Sequence, residues 1–521
     1  MKKMFSVLVA LLIGNTLIAQ VNDFTAIKAE VDFTFKLHNW DGFGINYVET
    51  AQTFNYEKNP QDYGGFDVLA KTDRDQIIDL VFGKEGLRPN IIKMFQDPLH
   101  QKEEGGAFDH ETTTGSMRYF ARNGHRLAQE NGDPLTVITT LYGPPAYVTQ
   151  QKILRGRDLD PAKSEALSNY MISWARFLKE KEGLPVRYIS IHNEGESWLR
   201  WPEDGRWGDA LEDGHDYNFF WDPQQMADIM IKSDSILKAD GLDYLKMTNG
   251  EPTNWYRFTN WGFAKKLFED EAALDATGII TSHGFYVGRQ EAGRWFGPHS
   301  SGGIDLLRTK RPDLSAWCTS SAWDVKINDT VKDGQIVRRY IMDAGFVKEI
   351  HGNIYEAKVN AFIPWAFSQK ASDWHKPDPN PGSAVRVYDD GTWEIKKGYY
   401  YYKQVSRAGR QGMSVVMTNA MDSEIALIGF ASNGTGNPDA FVLINFGPND
   451  RKVDVELIGI EGSKLEVYRT SGEEVYAYYE SARKDNLKGT DNYKSLGLMD
   501  IIDGKLPYLA PANSVTTFFA H

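Results

Sequence analysis

The first residues able to do chemistry close a single segment, Arg187-Tyr-Ile-Ser-Ile-His-Asn193-Glu194-Gly-Glu196, an apolar strand that stops at an amide beside a carboxyl group. In an α/β barrel, catalytic groups collect at the C-terminal ends of strands, so Glu194 reads as a proton donor. The same pair in a solvated loop would have no chemical role. Choosing between the two depends on the elements that position it.

Those elements repeat. Gln76–Phe82 and Met117–Gln129 carry helical patterns, and Asn90–Phe95 and Leu135–Leu141 read as strands. Leu167, Tyr170, Met171, Trp174, Phe177 and Leu178 fall at helical spacing and Gly183 ends that helix, directly before the strand leading to Glu194. Further strands are expected at Leu245–Thr248, Gly278–Ser282, Leu314–Thr319 and Val359–Phe367, with helical stretches between them. About eight such units imply a parallel (β/α)8 barrel, the TIM barrel of the α/β class. Beyond Tyr402 the texture changes to short strands separated by Gly, Asn and Asp, expected at Val415–Met417, Glu424–Phe430, Ala440–Asn445, Lys452–Leu457, Lys464–Arg469 and Val515–Phe519. Roughly 110 residues of this kind predict a C-terminal antiparallel β-sandwich. The expected division is a signal peptide at 1–20, an N-terminal strand at 21–40 joining the sandwich, the barrel at 41–405 and the sandwich at 406–521.

Composition narrows the function. A formal charge of −13 argues against nucleic acid or an anionic membrane as partner, although a local basic subsite would still accept an acidic polysaccharide. Lys2 and Lys3 precede an apolar run from Met4 to Ile13, which reads as a secretory signal cleaved near Ala19 or Gln20 and too short to span a membrane. A secreted or periplasmic location follows. Cys318 is the only cysteine, so no intrachain disulfide or multi-cysteine zinc site can form. No metal or cofactor is expected. The acidic clusters Glu203-Asp204 and Glu212-Asp213-Gly-His-Asp216 match no calcium loop and read as a solvated face. The 14 Trp and 25 Tyr supply flat faces that stack on sugar rings.

Seven segments in order resemble glycoside hydrolase family 30, whose members are retaining (β/α)8 enzymes. They are Gly42-Phe-Gly44, Phe82-Gly-Lys-Glu-Gly-Leu87, Tyr142-Gly-Pro-Pro-Ala-Tyr147, Ile191-His-Asn-Glu194, His283-Gly-Phe-Tyr286, Gly398–Tyr402 followed by Ser406-Arg-Ala-Gly409, and the closing Leu509–Phe518. The resemblance implies a carbohydrate substrate, Glu194 as acid/base, and Asn193 orienting a sugar hydroxyl. His283 and Tyr286, at a strand end, bind substrate or tune a carboxyl group; a satisfied core histidine is the plainer alternative. Trp365 is a candidate floor for a sugar, and Tyr142 and Trp198 are further substrate-binding candidates, the latter in the tryptophan-rich loop Ser197–Trp221, which reads as a cleft wall. Lys93 stands near a position where relatives carry arginine, giving a point charge in place of a planar fork.

The resemblance breaks at the seventh strand. Where the family pattern has its nucleophilic glutamate, this chain reads Trp317-Cys-Thr-Ser320-Ser-Ala-Trp-Asp324. A serine hydroxyl neither attacks well without a base nor stabilises an oxocarbenium ion as a carboxylate does. Three explanations stand. In the first, the enzyme inverts, with Glu251 or Asp324 activating water and the two carboxyl groups about 6.5–9.5 Å apart instead of about 5–5.5 Å. In the second, the chain binds carbohydrate without cleaving it. In the third, the serine is an engineered replacement of a glutamate.

Overall fold

The computed structural model describes residues 26–49, 62–154, 156–196, 219–285, 299–323, 326–332, 335–370, 382–477, 486–488 and 491–521. The expected signal segment, Trp198, Tyr286 and Asp324 lie outside these residues.

The first strand, β1 (Ile27–Asn39), belongs to the C-terminal domain, and the barrel begins with β2 (Gly42–Asn46). The barrel continues through β3 (Ile91–Gln96), β4 (Thr136–Leu141), β5 (Val186–Ser190), β6 (Lys246–Thr248), β7 (Thr277–Ser282) and β8 (Ala316–Cys318). After a hairpin of β9 (Lys326–Lys332) and β10 (Gln335–Met342), β11 (Ala361–Phe362) pairs with both β8 and β2 and closes eight parallel strands into a ring. The expected (β/α)8 barrel is therefore present. Two local expectations fail. The connection after β8 carries a β-hairpin as well as the helix Gly345–Tyr355, and the strand expected over Val359–Phe367 is reduced to two residues. Pro364 lacks the N–H a ladder needs, which ends β11 early.

Alternation along the strands sorts the barrel interior into layers. Ile91, Ile138, Ile279, Trp317, Ala361 and Ile363 form one apolar cluster. Two residues further along their strands stand Lys93, Thr140, Thr281 and Thr319, all buried. Since a strand repeats every two residues, these side chains form the next layer toward the C-terminal end, and that layer is polar.

Three further strands, β12 (Ser368–Lys370), β13 (Val385–Val387) and β14 (Trp393–Ile395), form a small sheet before the helix Lys397–Ala408 leads into the second domain. There, β15 (Ser414–Ala420), β16 (Ile425–Ala431), β17 (Ala440–Asn445), β18 (Arg451–Ile458) and β19 (Lys464–Ser471) are followed by β20 (Glu473–Ala477), β21 (Asn486–Lys488), β22 (Lys494–Asp500), β23 (Lys505–Ala510) and β24 (Ser514–Ala520). Nine strands form one mostly antiparallel sheet, in the order β22-β19-β24-β17-β16-β15-β1-β18-β23. β1 lies antiparallel to β15 and parallel to β18. The sheet folds over on itself as a sandwich: Tyr508 on β23 meets Thr516 on β24 at 3.0 Å, and Asn445 on β17 donates to the carbonyl of Ala510 at 3.0 Å, although neither pair is adjacent in the sheet.

The domains share one core. Trp40 packs against Phe43 of the barrel and Phe430 of the sandwich, with ring centroids 4.8 and 5.5 Å away. Its indole N–H donates to the Gly409 carbonyl at 3.3 Å. Burying aromatic rings across the junction fixes the sandwich to the barrel.

Candidate active site

The ends of β5 and β6 are stitched together beyond their ladders. Glu194 N–H donates to the Glu251 carbonyl at 2.8 Å, and Glu251 N–H donates to the His192 carbonyl at 3.0 Å. Glu194 takes a left-handed backbone, φ 50°, an uncommon conformation for a residue with a side chain and one that clusters at functional sites. Gly250 is required here: its φ is 79°, and a Cβ would stand 2.2 Å from the His192 ring. Behind that ring Trp221 stacks with centroids 5.6 Å apart.

From the polar layer rises a chain of buried charges. Glu251 accepts from Lys93 Nζ and from His283 Nε2 (2.9 Å) on one carboxyl oxygen, and from Thr140 Oγ1 (2.6 Å) on the other. The other ring nitrogen of His283, Nδ1, lies 2.8 Å from Glu194 Oε1. Burial alone would raise the Glu251 carboxyl, but the Lys93 charge and the His283 hydrogen bond outweigh it and hold the group far below the carboxylate range. Burial works against the imidazolium of His283, yet its hydrogen bonds to Glu194 and Glu251 prevail and raise it. His192, buried close by, is pushed down to about 4 by desolvation.

The end of β8 differs. Ser320 is completely buried, its carbonyl accepts from Gly284 N–H at 2.7 Å, and its hydroxyl makes no hydrogen bond with another described group. The side-chain oxygen of Asn193 is buried and likewise has no partner among the described residues. Tyr142 and Trp365 stack with centroids 6.2 Å apart at 18°, and Phe95 sets its edge against both.

Of the sequence candidates, Asn193, Glu194, Glu251 and His283 thus come together, Ser320 adjoins them through Gly284, and Tyr142 pairs with Trp365. Two participants had no role in the sequence reading. Thr140 is one; its place two residues beyond Ile138 on an inward row was the available signal. The other is Glu196, whose Oε1 accepts from Arg257 Nη1 at 2.8 Å and Thr253 N–H at 3.0 Å, fastening the Glu194 loop to the helix Trp255–Asn260. Among the described residues no group of three or more His, Cys, Asp or Glu is arranged to hold a metal ion. Nor is any helix there long and apolar enough to cross a membrane.

No family model matches the chain, and no curated protein matches it. Solved structures do. A family 30 endoxylanase from Clostridium papyrosolvens C71 is 16% identical with a TM-score of 0.62, covering 95% of this chain and 100% of its own. The catalytic domain of family 30 xylanase C from Talaromyces cellulolyticus is 15% identical, TM-score 0.64, covering 95% and 100%. An endo-β-1,6-glucanase is 15% identical, TM-score 0.63, covering 95% of each chain. The fold, barrel and sandwich together, is that of these three enzymes, two of which are family 30 xylanases.

Proposed function

We propose that this chain cleaves O-glycosidic bonds in a β-linked polysaccharide or oligosaccharide, with Glu194 protonating the departing oxygen. The carrying observation is the buried chain from Lys93 through Glu251 and His283 to Glu194. Because Glu251 is anionic and only accepts, His283 Nε2 carries a proton. The single proton between Nδ1 and Glu194 Oε1 is then shared by imidazole and carboxyl, which keeps a proton beside the acid. Glu251 takes a positioning role in this reading. A carboxylate so strongly held as an anion, with both oxygens engaged, is too weak a base to activate water.

A second reading, carbohydrate binding without cleavage, is favoured by one observation: the end of β8 offers the hydroxyl of Ser320 where the family resemblance calls for a carboxylate. The candidate base Asp324 stays in the first reading as the partner for an attacking water. Under either reading residues 1–20 direct export to a secreted or periplasmic location, 41–405 form the carbohydrate-handling barrel, and 21–40 with 406–521 form the sandwich.

Product release from a panel of β-linked polysaccharides, measured for the parent, Glu194→Gln and Ser320→Glu, tests both. An active parent silenced by Glu194→Gln supports the hydrolase. An inert parent that gains activity with Ser320→Glu supports a retaining site that has lost its nucleophile, and equal activity of the parent and Glu194→Gln removes the acid assignment.

A further inference from the structure

A second cleft opens at the other end of the barrel, where the loop before β3 meets the helix Lys397–Ala408 and the sandwich. It encloses about 330 Å³, within the range of small-ligand sites. Four cations line it, Arg88, Lys403, Arg407 and Arg410, against the two carboxyl groups of Glu85 and Glu466.

The four are not equally matched. Asp133 holds Arg88 through two hydrogen bonds (2.7 and 2.6 Å) and Arg410 through one (2.8 Å). Lys403 and Arg407 reach only backbone: Lys403 Nζ the carbonyl of Glu85, and Arg407 Nη1 the carbonyls of Lys84 (2.8 Å) and Gly86 (3.4 Å). Among the described residues no carboxylate forms an ion pair with either, and Glu466 is engaged by the Tyr468 hydroxyl at 2.6 Å. Burial, helped by the neighbouring Arg407 charge and opposed by Glu85, pushes Lys403 down to about 8.

Two of the lining residues are strained. Arg88 and Tyr493 have φ of 53° and 52°, left-handed values rare for large side chains. Tyr493 is held by stacking on Tyr468, centroids 4.6 Å apart, and by Lys403 lying 4.6 Å over its ring. Plain domain adhesion would account for the carbonyl contacts. It leaves unexplained two partly buried cations that, among the described residues, form no direct ion pair with the Glu85 and Glu466 carboxylates nearby, beside an open cleft in a chain of formal charge −13.

We propose that this cleft binds a sulfate- or phosphate-type oxyanion borne on a saccharide, with Lys403 and Arg407 as its principal contacts. The saccharide part rests on the carbohydrate reading above; the oxyanion part does not. Such a site would hold an acidic polymer at a distance from Glu194.

Titration calorimetry and thermal melting of the full chain test it, at constant ionic strength, with sodium sulfate, sodium phosphate, a sulfated galactan oligosaccharide and its unsulfated counterpart. Saturable binding of the sulfated oligosaccharide, tighter than free sulfate or phosphate and absent for the unsulfated one, is expected. Lys403→Met and Arg407→Gln should each weaken it about tenfold, the loss of one charge-assisted contact. Glu194→Gln should leave it unchanged, which separates this site from the barrel's other end. If free sulfate or phosphate binds as tightly, the saccharide part falls, and the hydrolase reading is untouched. If no anion binds the parent saturably, or both variants bind like the parent, the proposal is overturned.

Discussion

Neighbouring strand ends in the same barrel are finished in opposite ways. At the end of β7, His283 uses both ring nitrogens on two carboxyl groups, and every charge beneath it is met, Lys93 by Glu251 and Glu251 additionally by Thr140. At the end of β8, Ser320 is as deeply buried, yet its hydroxyl has no partner among the described residues. Buried polar groups are ordinarily paired, because an unmet one costs about 1–3 kcal/mol. The contrast teaches that the Glu194 side of the cluster is built and braced, while the β8 end presents a hydroxyl that no other described group meets.

The largest effect should come from unbracing the finished half. Glu251→Gln leaves Lys93 charged and unpaired in the barrel interior, which should cost about 3–5 kcal/mol in denaturant unfolding. The double variant Lys93→Met/Glu251→Gln should recover most of that loss, because it removes both charges. If the single variant is as stable as the parent, the pair does not brace the site. Next in size, Glu194→Gln should lower kcat/KM by about a hundredfold or more while the melting temperature stays within a few degrees of the parent.

A smaller effect depends on pH, and its sign differs for the two ends of the buried chain. The Glu251 carboxyl is depressed in the folded state, so its stabilisation is present above the unfolded value of about 4.3 and is lost as pH falls. His283 is raised, so its stabilisation is complete below about 6.5 and is lost as pH climbs through the folded value. The stability difference between the parent and His283→Gln should therefore shrink from pH 6 to pH 9. The difference between the parent and Glu251→Gln should shrink below pH 5. Taking differences cancels the other buried histidines, such as His100 and His192, which are pushed in the opposite direction. A parent-minus-His283→Gln difference that grows with pH would show a neutral ring and break the shared-proton arrangement.

The barrel could be read from the sequence because its strands are short apolar runs between amphipathic helices. The sandwich could be read because its strands are punctuated by Gly, Asn and Asp. Four strands of the second domain, β20 to β23, escaped: β22 is exposed over most of its length and alternates too weakly to register. Glu194 stood out as a candidate by its place after an apolar strand, and the structure sets it in the buried cluster with His283. The partnership of Glu251 with Lys93 was not, because 158 residues separate them and only ring closure brings both onto the polar layer. Nothing local in the sequence marked Glu251 as a candidate base held as an anion.

The smallest effect belongs to the unfinished half and separates a ligand-facing hydroxyl from a structural one. Ser320→Ala removes a buried oxygen that no other described group meets and leaves nearly the same volume, so stability should change by no more than about 1 kcal/mol, in the stabilising direction if at all. A loss of 2 kcal/mol or more would mean that the hydroxyl has a structural partner, and the contrast with His283 would collapse. The same variant's affinity for oligosaccharide carries the functional half of the test. If Ser320 meets a sugar hydroxyl or the water beside it, binding should weaken several-fold with melting unchanged, because only the liganded state then loses a hydrogen bond.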